Sequence, residues 1–140
     1  MRNILILLLV MIMAPVCLSG CTSDKGEDIV LSCDDFAQKP NATADISVSK
    51  GQTVTVTLCS NGTTGFIWNE EAQIDNTGIL KQTNHEVIAP EKSMPGAAGQ
   101  EKWTFEAVGT GATTAHMEYS RPWEGGEKGE WTFTLTVNVK

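Results

Sequence analysis

The side chains best able to do chemistry in this chain are four cysteines, Cys17, Cys21, Cys33 and Cys59, and two histidines, His85 and His116. A thiol becomes a nucleophile when a base sits beside it and a third group orients that base. Both histidines fall in alternating, strand-like stretches with no orienting partner recognisable in the sequence, so catalysis at Cys59 ranks behind its other readings. No nucleophile elbow, zinc-ligand spacing or paired catalytic carboxylates occur. Glu70-Glu71 and Glu127 to Glu130 read as solvated turns and strand edges, and neither an enzymatic activity nor a cofactor or metal is expected.

Position sorts the cysteines. Arg2 and the apolar run from Ile4 to Met13, too short for a span with stop-transfer flanks, make an export signal, the competing readings being plain secretion and an uncleaved hydrophobic anchor with Cys21 incidental. Leu18-Ser19-Gly20-Cys21 then matches the lipobox of prokaryotic lipoproteins, in which cleavage leaves a lipidated cysteine as the new N-terminus. On that reading residues 1–20 leave with Cys17, Cys21 carries the lipid, and the folded part is extracytoplasmic, anchored at the cell membrane. Cys33 and Cys59 remain as a pair in an oxidising compartment: a disulfide is the first reading, two buried free thiols the second, a nucleophile the last. A disulfide would be worth about 3.5 kcal/mol on the chain-entropy model, less any strain.

Three other segments make poor core and good contact surface. In Asn61-Gly62-Thr63-Thr64-Gly65-Phe66, Asn-Gly favours positive φ, the threonines can hydrogen-bond, and Gly65 allows close approach of another surface. Gly96-Ala97-Ala98-Gly99 is small and flexible, and on its own reads as a plain connection between strands. In Arg121-Pro122-Trp123, proline stiffens the base of a glycine-flanked loop whose indole either projects towards a partner or folds back over the sandwich end. Burying that indole against a partner would return at most about 4 to 6 kcal/mol. Asn41 and Asn61 also each open a glycosylation sequon, and sugar at Asn61 would obstruct the loop it starts.

The elements that hold these loops read as strands. Val54, Val56 and Leu58 alternate with threonines, as do Phe133, Leu135 and Val137, and Trp68, Val87, Trp103, Phe105, Met117 and Tyr119 supply further core faces. Glycine-marked turns separate them, and no sustained helical period occurs, although residues 31–38 allow one irregular helical turn before Pro40. The expectation is an all-β, immunoglobulin-like antiparallel sandwich of about seven strands in residues 45–140, preceded by a lipidated tether and disulfide-bearing lead-in over residues 21–44. A length of 140 residues leaves room for one core, and a formal charge of −7 argues against binding nucleic acid. A monomer is expected.

Taken together, the three loops resemble the chagasin family of cysteine-peptidase inhibitors, whose marks are Asn-Pro-Thr-Thr-Gly-Phe, Gly-x-Gly-Gly and Arg-Pro-Trp or Arg-Pro-Phe in that order. Here they stand as residues 61–66, 96–99 and 121–123. The resemblance implies a reversible inhibitor of papain-like cysteine peptidases. Residues 63 and 64 would lie over the catalytic cysteine and histidine, Trp123 would pack on the primed-side wall, and residues 96–99 would line the opposite edge. Gly62 replaces the family's proline, which loosens the loop. Ala98 replaces a glycine, and a positive φ there would cost about 1 kcal/mol. The alternative to inhibition is an envelope lipoprotein whose sandwich binds another surface molecule; titration against a papain-like peptidase separates the two.

Overall fold

The computed structural model describes residues 26–92 and 94–140, so the export signal, Cys17, Cys21 and residues 22–25 of the tether lie outside the described residues. Alternation builds the central strands. Along β3 (Thr53–Ser60), Val54, Val56 and Leu58 are fully buried between outward threonines, and along β9 (Trp131–Val139) so are Phe133, Leu135 and Val137. In register, β3 runs antiparallel to β7 (Gly99–Ala107), which sets Val56 opposite Trp103. β8 (Gly111–Ser120) runs antiparallel to β9 and sets Met117 opposite Phe133. The two sheets face each other across Trp103, Phe105, Met117, Tyr119, Phe133 and Leu135, an immunoglobulin-like β-sandwich with a single core.

Among the described residues the strands number nine, and two pairings are parallel. β1 (Glu27–Leu31) pairs parallel with β3 at one sheet edge, and β2 (Asn41–Val48) pairs parallel with β9 at an edge of the other. β6 (Leu80–Ile88) closes the first sheet beside β7, while β4 (Ile67–Trp68) and β5 (Gln73–Ile74) both pair with β8 in the second. β1 and the start of β2 lie ahead of residue 45 and are hydrogen-bonded into the sheets. In β1, Ile29 and Leu31 turn towards the core while Val30 between them is exposed, and this apolar triplet hid the alternation in the sequence. Val87, read as core, is 72% exposed: it sits opposite Glu101 near the end of β6 and lines a surface depression with Ile67 and Met94.

Between β1 and β2 lies α1 (Cys33–Gln38), a firmer element than the irregular turn expected. Ser32 caps it: its hydroxyl accepts from the Asp35 amide at 3.3 Å, and the Asp35 carboxylate accepts from the Ser32 amide at 2.8 Å. The Ser32 hydroxyl and amide hold the Asp35 carboxyl below its usual range. The helix closes one flank of the sandwich. Cys33 is disulfide-bonded to Cys59 of β3 across a Cα separation of 5.2 Å, within the ordinary span of such bridges. Phe36, fully buried, stacks on Trp131 at 5.0 Å.

Strand direction places the loops. β3, β6 and β8 all run the same way, so the connections that follow them, residues 61–66, 89–98 and 121–130, emerge at one pole. The turns at residues 49–52 and 108–110, and Lys140, occupy the other.

Candidate functional site

Residues 61–66 carry a short 3-10 turn, Gly62–Thr64. Asn61 organises it from both ends of its side chain and backbone. Its Oδ1 accepts from the Thr63 amide at 3.2 Å and from the Thr63 hydroxyl at 2.7 Å, while its carbonyl accepts from the Thr64 hydroxyl at 2.7 Å. Beneath it, the Tyr119 hydroxyl accepts from the Asn61 amide at 2.9 Å and donates to the Asn61 carbonyl at 3.2 Å. Tyr119 is almost fully buried, so the loop is bolted to the core rather than resting on it.

This bonding fixes what the loop can offer. Both threonine hydroxyls spend their protons internally, and Thr64 Oγ1 also accepts from the Phe66 amide at 3.4 Å, so the acceptor capacity left on the exposed tip is mainly that of Thr63 Oγ1 with the remaining lone pair of Thr64. Such a tip accepts hydrogen bonds and holds no nucleophile. The left-handed residue is Gly65 (φ 80°); Gly62, where Asn-Gly suggested positive φ, takes none, because Asn61 acts as the cap and Gly62 opens the 3-10 turn.

Trp123 lies directly against this loop. A Cβ placed on Gly65 would come within 2.8 Å of the indole Cη2, so glycine at 65 is required twice, by φ and by the ring that covers it. The indole is 52% exposed. Arg121 joins the two loops: its guanidinium sits over the Phe66 ring at 4.4 Å and near the Trp123 ring at 5.9 Å, and its Nη2 donates to the Thr64 carbonyl at 3.5 Å. Its amide donates to the Glu127 carbonyl at 2.8 Å, and Lys128 Nζ donates to the Arg121 carbonyl, which tightens the base beside Pro122.

Phe66 differs from the other contact candidates. It is buried, stacked on Tyr119 at 5.4 Å, and supports the loop instead of facing outward. Tyr119 in turn stacks on Trp131 at 4.8 Å, so Phe36, Trp131, Tyr119, Phe66, Arg121 and Trp123 form one continuous column from the disulfide flank to the projecting indole. The column's members are scattered along the chain, and periodicity alone gave no signal for their contact.

The middle loop is held lightly. Asn61 Nδ2 donates to the Gly96 carbonyl at 3.3 Å, and the Ala97 amide donates to the Met94 carbonyl at 3.0 Å. Gly96 takes φ 82°, while Ala98 has no positive φ, so the strain considered for it does not arise. Gly99 belongs to β7, opposite Ser60, and the Ile88 carbonyl leaves no room there for a Cβ. Between this loop and residues 62–63, the exposed side chains of Ile67, Val87 and Met94 line a shallow apolar depression.

Cys59, in its disulfide, carries no thiolate. His85 does have a partner that the sequence hid: Glu101, buried in β7, sits 3.0 Å from its Nε2 and accepts from Ser60 Oγ at 2.7 Å. The network ties β3, just before Asn61, to β7 and β6. His116 Nδ1 lies 3.0 Å from Thr134 Oγ1. Among the described residues no group of His, Cys, Asp and Glu is arranged to hold a metal ion.

Comparison with known proteins adds sequence and fold. The family model described as chagasin family peptidase inhibitor I42 matches residues 47–137. The chain is 29% identical over 99 residues to chagasin of Trypanosoma cruzi, covering 69% of this chain and 89% of that protein. It is 27% identical over 97 residues to amoebiasin-2 of Entamoeba histolytica, covering 69% and 78%. Its fold is similar to the cysteine protease inhibitor EhICP2 of Entamoeba histolytica, with a TM-score of 0.61 at 23% identity, covering 81% of this chain and 96% of that one.

Proposed function

The chain belongs to the chagasin family of peptidase inhibitors, and we propose that it reversibly inhibits papain-like cysteine peptidases by filling their active-site cleft with the three loops gathered at one pole. One observation carries the reading: the Trp123 indole lies against Gly65, the residue that follows the Thr63-Thr64 tip, so tip and indole stand side by side as a single edge. The catalytic pair of such enzymes includes an imidazolium, a hydrogen-bond donor, and the tip offers lone pairs with their own protons turned inward. Trp123 buries its exposed face on the cleft wall, and residues 96–99 line the opposite edge. Phe66 and Arg121 hold the edge in shape, so little ordering cost remains at docking. Nothing scissile is presented.

Lipid at Cys21 anchors the inhibitor outside the cytoplasm, and it acts as a monomer. The test is titration of the protein against papain with a peptide substrate: stoichiometric, reversible loss of hydrolysis is expected, and unchanged hydrolysis at high excess of the protein would overturn the reading.

A further inference from the structure

The parallel edge pairing of β1 decides where the chain enters the domain. Glu27 lies opposite Val54 and Leu31 opposite Leu58, so β1 and β3 run together, and β3 runs towards the Thr63-Thr64 tip. Gly26 sits against the backbone of Thr53, the first residue of β3, where a Cβ would meet the Thr53 carbonyl oxygen at 2.1 Å. The N-terminal entry and the peptidase-binding edge are therefore at opposite poles.

Covalent length turns this into a polarity. From Cys21 to Gly26 a fully extended chain reaches at most about 18 Å. From the level of Gly26 to Ser60 the sandwich already rises about 23 Å, and the tip stands beyond that. A tether shorter than the domain cannot run back along it far enough to turn the tip against the membrane.

We propose that this protein is a membrane-fixed inhibitor of set polarity: lipid at Cys21 holds the pole of Gly26 to the bilayer, and the loop edge faces outward, towards soluble cysteine peptidases in the surrounding fluid. The proposal rests on the reading of that edge given above and adds which enzymes can reach it. A peptidase whose cleft opens close against the same membrane is out of range; one that diffuses in from the aqueous side docks without hindrance.

The test uses the exported, processed full chain, purified in detergent and inserted into the outer leaflet of preformed phosphatidylcholine vesicles, with soluble papain as probe. The inhibition constant on vesicles is expected within about threefold of that in detergent, whereas weakening by about tenfold or more would overturn the proposal. The emission difference between parent and Trp123→Phe isolates the exposed indole. Lipids brominated on their chains should leave it unchanged, and any quenching of it would place the edge at the membrane and defeat the proposal. Mass spectrometry finding an unmodified Cys21 at the mature N-terminus would also defeat it. Absence of papain inhibition in detergent would count against the loop-edge reading instead, with the quenching result still deciding the polarity.

Discussion

The joined loops at residues 61–66 and 121–130 and the middle loop at 89–98 occupy the same pole and are built in opposite ways. The first pair is anchored by Tyr119 from below, by Arg121 from the side and by a run of stacked rings reaching back to α1. Among its described residues the middle loop has one hydrogen bond across to Asn61 and two short-range ones of its own, from the Met94 amide to the Lys92 carbonyl and from the Ala97 amide to the Met94 carbonyl. A surface shaped before contact loses little freedom on docking, whereas a lightly held one adapts and returns less. Affinity should therefore concentrate in the rigid pair.

The largest effect expected is from Thr64→Arg. A long side chain at the tip cannot enter a cleft fitted to threonine, so inhibition of papain should fall roughly 1,000-fold or more, about 4 kcal/mol. The same substitution at exposed Ala98 should cost less than about tenfold, because that loop can move aside. Equal losses at the two positions would erase the distinction between the loops.

Removing the bridge comes next. Reduction, or Cys33→Ala with Cys59→Ala, should cost up to about 3.5 kcal/mol and lower the melting temperature by up to roughly 10 to 20 °C. Two alkylatable thiols in the untreated native protein would contradict the bridge itself.

Trp123→Ala should weaken inhibition about tenfold or more with the melting temperature preserved, since half of the ring already faces solvent. Met94→Ala in the middle loop, though Met94 is 62% exposed, should change it less than about threefold. Parent-like inhibition by the tryptophan variant would move the binding energy elsewhere.

The smallest change sharpens the comparison. Gly62 opens the 3-10 turn without a positive φ and with open space where a Cβ would lie, a position suited to proline. Gly62→Pro should raise stability by about 0.4 to 1 kcal/mol, read from chemical denaturation, and should tighten inhibition slightly by stiffening a loop already well held. Destabilisation would mean that the first turn needs glycine's freedom.

Much of this molecule was legible from residue order. The threonine-alternating strands β3 and β9 match their periodicity because a strand's side chains must divide between two faces. The three loops were legible as motifs. Less was visible of their supports. Phe66 reads as part of a contact motif yet is buried as a brace, and His85 looked partnerless until β7 brought Glu101 beside it. Short elements with little pattern, β1 above all, gave no period to read.

By itself the sequence determined the local terms: which residues alternate, where glycine must bend the chain, which cysteines remain to pair, and which loops carry threonine and indole. Those follow from backbone sterics and side-chain type within a few neighbours. Only the tertiary structure decided that Gly65 lies under Trp123, that rings far apart in the chain stack into one support, and that the chain enters at the pole away from its loops. Such contacts depend on strand direction and pairing between distant residues, and packing of the whole core selects them together.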